Sequence, residues 1–124
     1  MPHFDESRPI YLQIVDWICR RVARGELAPG ARLPSLRDLA QELAVNPNTV
    51  QHAYQELERQ GIAFTKRGQG TFISESPDPV GSLRQRLAEQ AAEAYLKEIA
   101  NLGLSFREGL DLLAEKIKER GVSN

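Results

Sequence analysis

The chain has little of what metal centres and disulfides require. Its 124 residues include one cysteine, Cys19, and two histidines far apart in sequence, His3 and His52. A single cysteine cannot form an intrachain disulfide, which is typical of proteins from a reducing compartment. One thiol and two distant imidazoles also make a poor metal site. The sequence therefore predicts no metal, no cofactor and a cytoplasmic location.

Long apolar runs are also missing. No segment approaches the roughly 20 consecutive apolar residues that a helix needs to cross a bilayer. The N-terminal "MPHFDESRP" has no basic stretch followed by an apolar one, as a signal peptide would have. We therefore expect no association with a membrane.

The residue patterns of enzymes are absent as well. We find no Ser/His/Asp or Cys/His arrangement and no phosphate-binding glycine loop. Gly68-x-Gly70 precedes a β-like run rather than a helix, so it does not fit a nucleotide loop. The sequence predicts a protein that is not an enzyme.

The chain has almost no net charge. Its formal charge is −1 and its isoelectric point is about 6.1. Nucleic-acid-binding domains often carry a basic surplus, so binding to DNA here must depend on local charge. The neutral balance also permits an alternative, a winged-helix module that binds protein rather than DNA.

Apolar residues recur with helical spacing in three early segments, 9–24, 35–44 and 47–60. Ser35 and Asn46 stand where they can cap the second and third helices. Because only Val45 separates the second helix from that second cap, we expect a tight turn between these two helices.

Two short β-like runs, 62–66 and 70–74, flank the glycine-rich "RGQG" and predict a hairpin. Two more helices are predicted in the tail, with capping boxes at Ser82 and Ser105. The fold class is therefore mostly α with a small β-hairpin. We expect a winged helix-turn-helix domain over 1–75, a linker over 76–81, and a C-terminal two-helix dimerisation element over 82–124.

The start of the third helix suits contact with DNA. A helix fits the major groove of B-DNA, and its N-terminal residues reach base edges. Asn46 can cap the helix, and Pro47 needs no N–H donor at the first position. Asn48 and Thr49 then project from the first turn, with Gln51 on the exposed face. Asn and Gln can pair with adenine edges.

Several of these positions also have a purely structural interpretation. Capping is the main role expected of Asn46, with phosphate contact second. His52 suits a solvated helix position as well as it suits a phosphate partner. Lys66 and Arg67 could belong to a solvated turn, although the neighbouring Gly68-x-Gly70 favours contact with DNA.

Ordered motifs over residues 33–74 resemble the DNA-binding domain of the GntR family of bacterial transcription regulators. The motifs are "LPS-x-R-x-LA" (33–40), "V-N-x-N-T-V" with "A-Y-x-x-L" (45–57), and "G-x-G-T-F" (68–72). The upstream segment 11–30 also fits. The short tail is similar to that of the YtrA subfamily, whose members lack a large ligand-binding domain. The resemblance implies a cytosolic homodimer that binds double-stranded DNA at an inverted-repeat operator, usually as a repressor.

The resemblance also implies where the DNA contacts lie: Arg37, the start of the third helix, Gln51, and the wing tip around Gly68 to Thr71. Arginines often occupy the recognition helix of other family members, but here Pro47 and Gln51 stand at such positions. That departure favours operators that contain A·T pairs, or indirect readout. The predicted DNA-binding residues are Ser35, Arg37, Asn46, Pro47, Asn48, Thr49, Gln51, His52, Lys66, Arg67, Gly68, Gln69, Gly70 and Thr71.

The tail predicts a homodimer. A two-helix hairpin of about 40 residues rarely buries enough apolar area to outweigh its ordering entropy. Its apolar stripes must therefore lie on the winged domain of the same chain or on the tail of a second chain, and the proline-containing linker favours the second chain. A cleft at a dimer interface could also hold an unknown small-molecule effector. The predicted dimerisation residues are Leu83, Leu87, Ala91, Tyr95, Ile99, Leu102, Phe106, Leu110, Leu113 and Ile117.

Overall fold

The computed structural model describes residues 3–76 and 80–121. Its order of elements confirms the predicted fold class, five helices with a two-stranded antiparallel hairpin between the third and fourth. The elements are α1 (Ile10–Ala23), α2 (Leu36–Leu43), α3 (Pro47–Arg59), β1 (Ala63–Lys66), β2 (Gly70–Ile73), α4 (Leu83–Asn101) and α5 (Phe106–Glu119).

The chain forms two compact units, Met1–Gln85 and Arg86–Asn124. We call them the winged unit and the tail unit. The division falls inside α4, after its first turn, whereas the sequence predicts a linker over 76–81. Residues 77–79 of that predicted linker lie outside the described residues.

The winged unit has a continuous apolar core, which the helical spacing of its sequence predicts. Each of its three helices contributes one buried face, and α1 and α2 both pack on α3. The core side chains of these helices are Ile14, Val15, Ile18, Cys19 and Val22 of α1, Leu39, Ala40 and Leu43 of α2, and Val50, Ala53, Tyr54 and Leu57 of α3.

The turn between α2 and α3 depends on one unusual backbone conformation. Ala44 adopts the left-handed region, with φ 57° and ψ 47°. This conformation costs a non-glycine residue roughly 1–2 kcal/mol. The N–H of Val45 donates to the carbonyl of Ala40 at 3.0 Å, which closes the turn. The start of α3 is therefore set rigidly against the end of α2.

The hairpin pairs Ala63 with Ile73 and Lys66 with Gly70 at its two ends. We call residues 63–73 the wing. A third segment, residues 31–33, joins the wing on the other side of β2 through a bridge between Arg32 and Phe72. The sequence patterns did not predict this pairing of residues 31–33 with β2.

The tail unit closes on a small contact between α4 and α5. Gly109 packs against Ile99 so closely that a Cβ on Gly109 would lie 3.1 Å from Cγ2 of Ile99. The hydroxyl of Tyr95 donates to the carbonyl of Gly109 at 2.8 Å. The predicted capping box at Ser105 is confirmed, with Glu108 as its partner.

The predicted dimerisation residues divide by burial. Leu83 and Ile99 are buried within the chain itself, so they serve its own packing, and Leu87 and Tyr95 are half-buried. The others are exposed: Ala91, Leu102, Phe106, Leu110, Leu113 and Ile117. Among the helices of the described ranges, none is long and apolar enough to cross a membrane.

Candidate nucleic-acid interface

The start of α3 is a capped and exposed polar turn. The side-chain Oδ1 of Asn46 accepts a hydrogen bond from the N–H of Asn48 at 2.8 Å, which confirms the predicted cap. Pro47 occupies the first helical position, where no N–H donor is needed. The side chain of Asn48 is exposed and that of Thr49 is half-buried. The cap therefore fixes the backbone of the first turn, from which these side chains project.

The face of α3 opposite the core continues this polar surface. Gln51, His52 and Gln55 are all exposed. The ring of His52 stacks on that of Tyr11 in α1, with centroids 3.6 Å apart and planes 9° from parallel. His52 is thus held against α1, and its predicted contact with phosphate stays a prediction.

A hydrogen bond ties α3 to the segment that leads into α2. The hydroxyl of Tyr54 donates to the carbonyl of Pro34 at 2.8 Å. Burial, with a smaller effect from the Glu42 charge, raises the pKa of Tyr54 well above its ordinary value. The phenol therefore stays protonated and remains a donor. This bond sets the position of Ser35 and the first turn of α2 relative to α3.

The first turn of α2 offers one exposed cation. The Oγ of Ser35 accepts from the N–H of Asp38 at 3.1 Å, so this hydroxyl caps α2. Arg37 is exposed and forms no ion pair within residues 3–76 and 80–121. Its guanidinium is therefore available to bind a phosphate near the first turn of α2.

The two cations of the wing tip, residues 66–71, differ in their surroundings. The Nζ of Lys66 lies 5.9 Å from the ring centre of Phe64 and 5.6 Å from that of Phe72. Arg67 is exposed at the tip, without an ion pair in the part of the chain that the structure describes. Of the two, Arg67 is the more available to DNA, because Lys66 is held over the aromatic rings.

The remaining residues of the wing tip shape the turn. Gly68 has a φ of +79°, a conformation that favours glycine. The N–H of Gln69 donates to the carbonyl of Lys66 at 2.9 Å. The hydroxyl of Thr71 is 3.2 Å from that of Thr65, so its polar group already has a partner inside the wing.

Arg32 is a residue of this region that sequence reasoning missed. Its guanidinium lies against Gly70, with Nε 2.9 Å from the place where a Cβ would stand. One signal was present, a second glycine beside the turn, because an interior glycine often marks a close approach. That glycine does not indicate which side chain makes the approach.

Other arginines of the winged unit are neutralised by neighbouring acids. Arg20 pairs with Asp16 at 3.0 Å, and Arg24 pairs with Glu26 at 2.7 Å. At the far end of α3, hydrogen bonds from Arg59 above all hold the pKa of Glu56 down at about 2. These three arginines are therefore less available to a phosphate than Arg37 and Arg67, which have no ion pair among the described residues. No cluster of metal ligands occurs within residues 3–76 and 80–121.

Known proteins are similar to this chain over more than half of its length. A family model described as bacterial regulatory proteins, gntR family, matches residues 10–73. The chain is 48% identical over 108 residues to the uncharacterized HTH-type transcriptional regulator YhcF of Bacillus subtilis, covering 87% of this chain and 89% of that protein. It is 51% identical over 70 residues to the HTH-type transcriptional repressor YtrA of the same organism, covering 56% and 54%.

Solved structures agree with these matches. A GntR family transcriptional regulator from Listeria monocytogenes superposes with a TM-score of 0.83 at 37% identity, covering 90% of this chain and 98% of that one. The DNA-binding domain of AraR in complex with operator ORR3 superposes with a TM-score of 0.53 at 28% identity, covering 60% and 90%.

Proposed function

Because this chain belongs to the GntR family of bacterial regulatory proteins, we propose that it is a repressor that binds an inverted-repeat operator as a homodimer. The family and the relatives of this chain are DNA-binding transcription regulators and not enzymes. In the proposed complex α3 enters the major groove, and the wing tip lies on the adjacent minor groove or on the backbone.

One observation carries this proposal, the capped polar start of α3. Asn46 and Pro47 fix the helix start, and the exposed side chains of Asn48 and Gln51 follow on the free face. Amides at such positions can form two hydrogen bonds with an adenine edge. Arg37 and Arg67, which lack ion pairs among the described residues, supply nearby positive charge for phosphates.

The repressor role is supported by likeness rather than by the site. The relative YtrA is named a repressor, and its match spans more than half of this chain. A repressor of this kind acts by occupying DNA near a promoter. Deleting the gene should therefore raise transcription from the promoter next to the operator.

Competition binding tests the DNA-reading function. Fluorescence anisotropy would follow the wild-type chain on a labelled duplex from the DNA directly upstream of its own gene. Binding to this duplex should be at least about 10³-fold tighter than to an unrelated duplex, as for specific regulators. Equal binding of both duplexes, or binding of neither at modest salt, would contradict the proposal.

The dimer part of the proposal depends on the tail unit. Large apolar side chains stay exposed there, among them Leu102 at 65%, Phe106 at 62% and Leu110 at 58%. An open groove of about 1100 Å³ runs along α4 and includes Phe106 in its lining. A second copy of the tail fits such a surface, because homodimer interfaces are more apolar than the average protein surface.

Light scattering tests the dimer directly. At micromolar concentration the mass should equal two chains of 13.9 kDa each. The mass of one chain at that concentration would contradict the homodimer. A twofold protein also gains avidity from binding two half-sites at once.

The alternative is a winged helix that binds protein, which the net charge of −1 permits. Salt separates the two functions. Binding to DNA by several phosphate contacts weakens steeply as salt rises, with a slope of about −0.9 per phosphate. A chain that binds no duplex even at low salt would favour the protein-binding alternative.

A further inference from the structure

Residues 31–33 pair with β2 and bring one more cation to the wing. The N–H of Leu33 donates to the carbonyl of Thr71 at 2.8 Å, and the N–H of Ile73 donates to the carbonyl of Ala31 at 2.8 Å. These two bonds enclose Arg32, whose backbone stands opposite Phe72. The backbone of Arg32 is therefore as firmly placed as that of the wing itself.

The pairing decides which face of the wing carries the Arg32 side chain. Residues directly opposite each other in neighbouring strands share a face. Arg32 thus shares a face with Phe72, and Phe72 with its partner Phe64. Lys66, two residues from Phe64, lies on this face as well.

The other face belongs to the core. Leu33, Ala63 and Ile73 are at most 5% exposed. Arg32 and Lys66 are exposed, and the two phenylalanines are half-buried. The Arg32 side chain therefore lies on the solvent face of the wing.

Gly70 directs the Arg32 side chain toward the wing tip. A Cβ on Gly70 would stand 2.9 Å from Nε and 3.3 Å from Nη2 of Arg32. Gly70 is two residues nearer the turn than Phe72, so the guanidinium extends from the bridge toward the tip. The missing side chain at Gly70 leaves the space in which the guanidinium lies.

The guanidinium has no charged partner among residues 3–76 and 80–121. Asp38 lines the same shallow depression as Arg32 but is not within ion-pair distance. The wing sequence 63–73 holds no acidic residue, and it adds Lys66 and Arg67. Arg32 therefore adds a third cation beside the two of the wing tip, and no acid neutralises it within the described residues.

From this geometry we propose that Arg32 binds a DNA backbone phosphate beside the wing tip, as a pre-positioned contact. This inference rests on the proposed DNA-binding function. A guanidinium presents several N–H donors in a fixed plane and binds phosphate oxygens in pairs. Because the contact is to the backbone, Arg32 adds affinity for any duplex and does not select a sequence.

Salt-dependent binding tests the role of Arg32. The wild-type full chain and Arg32→Gln would be titrated against two probes, the duplex upstream of its own gene and an unrelated mixed-sequence duplex. Arg32→Gln should weaken binding of both probes about tenfold. It should also reduce the slope of log K against log salt by about 0.9, the contribution of one phosphate.

Two further variants give the controls. Arg24→Gln removes the same charge from an arginine that pairs with Glu26 at 2.7 Å, and it should keep the wild-type slope. Arg32→Lys keeps the charge on the wing, and it should keep most of the slope. Thermal unfolding of each variant would show that the fold is intact.

The outcomes separate this inference from the proposed function. If the wild-type chain binds DNA and Arg32→Gln keeps the wild-type slope, Arg32 is no phosphate contact and the function stands. If Arg32→Lys loses as much slope as Arg32→Gln, the side chain acts through structure rather than charge, which also overturns the inference. If the wild-type chain binds neither probe, the proposed function and the inference fall together.

Discussion

The winged unit and the tail unit differ in how far their apolar side chains are buried. Within the described ranges, all the buried apolar side chains except Ile99 belong to the winged unit. All the exposed large apolar side chains of those ranges except Ile10 belong to the tail unit. The helices of both units have apolar stripes, but only the winged unit buries its stripes within the same chain.

The winged unit covers its own apolar surface, whereas the tail unit leaves much of its apolar surface exposed. The winged unit can hold the rigid start of α3 because its own core supports it. The tail unit closes on a few contacts, chiefly between Ile99 and Gly109, and leaves its long stripe uncovered. We interpret the first as the DNA-reading unit and the second as the unit that recruits another copy of the chain.

Truncating one core residue should give the largest effect. Leu57 is completely buried, so Leu57→Ala should lower the free energy of unfolding by about 3 kcal/mol. Leu110→Ala, in the tail, is the matched change at a residue that is 58% exposed. Urea unfolding at two protein concentrations measures both variants.

The loss from Leu57→Ala should be the same at both concentrations. The loss from Leu110→Ala should appear only where the wild-type chain is dimeric, because partner binding stabilises the folded state by mass action. Equal losses for the two variants in a monomeric sample would contradict the proposed division between the units.

Placing charge on the exposed apolar stripe of the tail unit should separate the two chains of the proposed dimer. In the double variant Phe106→Asp with Leu110→Asp, the mass from light scattering should halve. Its affinity for the upstream duplex should fall about 100-fold, since a linked pair of half-site contacts is lost. Lys118→Asp, a charge change at a polar position of α5, should alter neither property. A double variant that stays dimeric would show that the interface lies elsewhere.

Two variants of the winged unit should separate base contacts from backbone contacts. Asn48→Ala should weaken binding to the upstream duplex about tenfold and binding to unrelated DNA less. Each base contact contributes about 1–3 kcal/mol of discrimination. Arg67→Ala should weaken binding to both duplexes alike and reduce the slope of log K against log salt. Anisotropy titrations measure both, and the reverse pattern would mean that the two roles are exchanged.

The two helix caps offer the smallest and most closely matched comparison. Asn46→Ala and Ser105→Ala should each lower stability by about 1 kcal/mol, the usual value of a lost N-cap. Only Asn46→Ala should weaken binding to DNA, because Asn46 caps α3, the helix that we propose reads the DNA. Urea unfolding and DNA titration of both variants check this, and a DNA-binding defect in Ser105→Ala alone would contradict it.

Local signals predicted most of the winged unit. Periodic apolar residues predicted the three helices, and the caps at Ser35 and Asn46 were recognisable from their residue types. The glycines at 68 and 70 predicted the hairpin within one residue of its ends. Each of these features depends on residues that are neighbours in sequence.

Long-range contacts were the part that sequence could not predict. Leu33 pairs with Thr71, and no pattern within residues 31–33 indicates a strand. The stacking of His52 on Tyr11 and the placement of Arg32 over Gly70 depend on the same tertiary arrangement. The cations within the wing tip were therefore predictable, whereas the one that comes from a distant segment was not.

In the tail, the sequence predicted the stripes but not how the chain uses them. Leu83 and Ile99 were predicted to face a second chain, yet both are buried within their own. One signal for this was present. Gly109 lies inside a predicted helix, where glycine costs about 1 kcal/mol relative to alanine, and it allows Ile99 to approach closely.

Hydroxyl-radical footprinting of the wild-type chain on the DNA upstream of its own gene tests the central claim most directly. Two winged units joined by their tails should protect two patches related by a twofold axis. The centres of the patches should be about one helical turn apart, roughly 34–36 Å, or a multiple of that spacing. A single asymmetric patch, or no protection at concentrations where the chain is dimeric, would contradict the account.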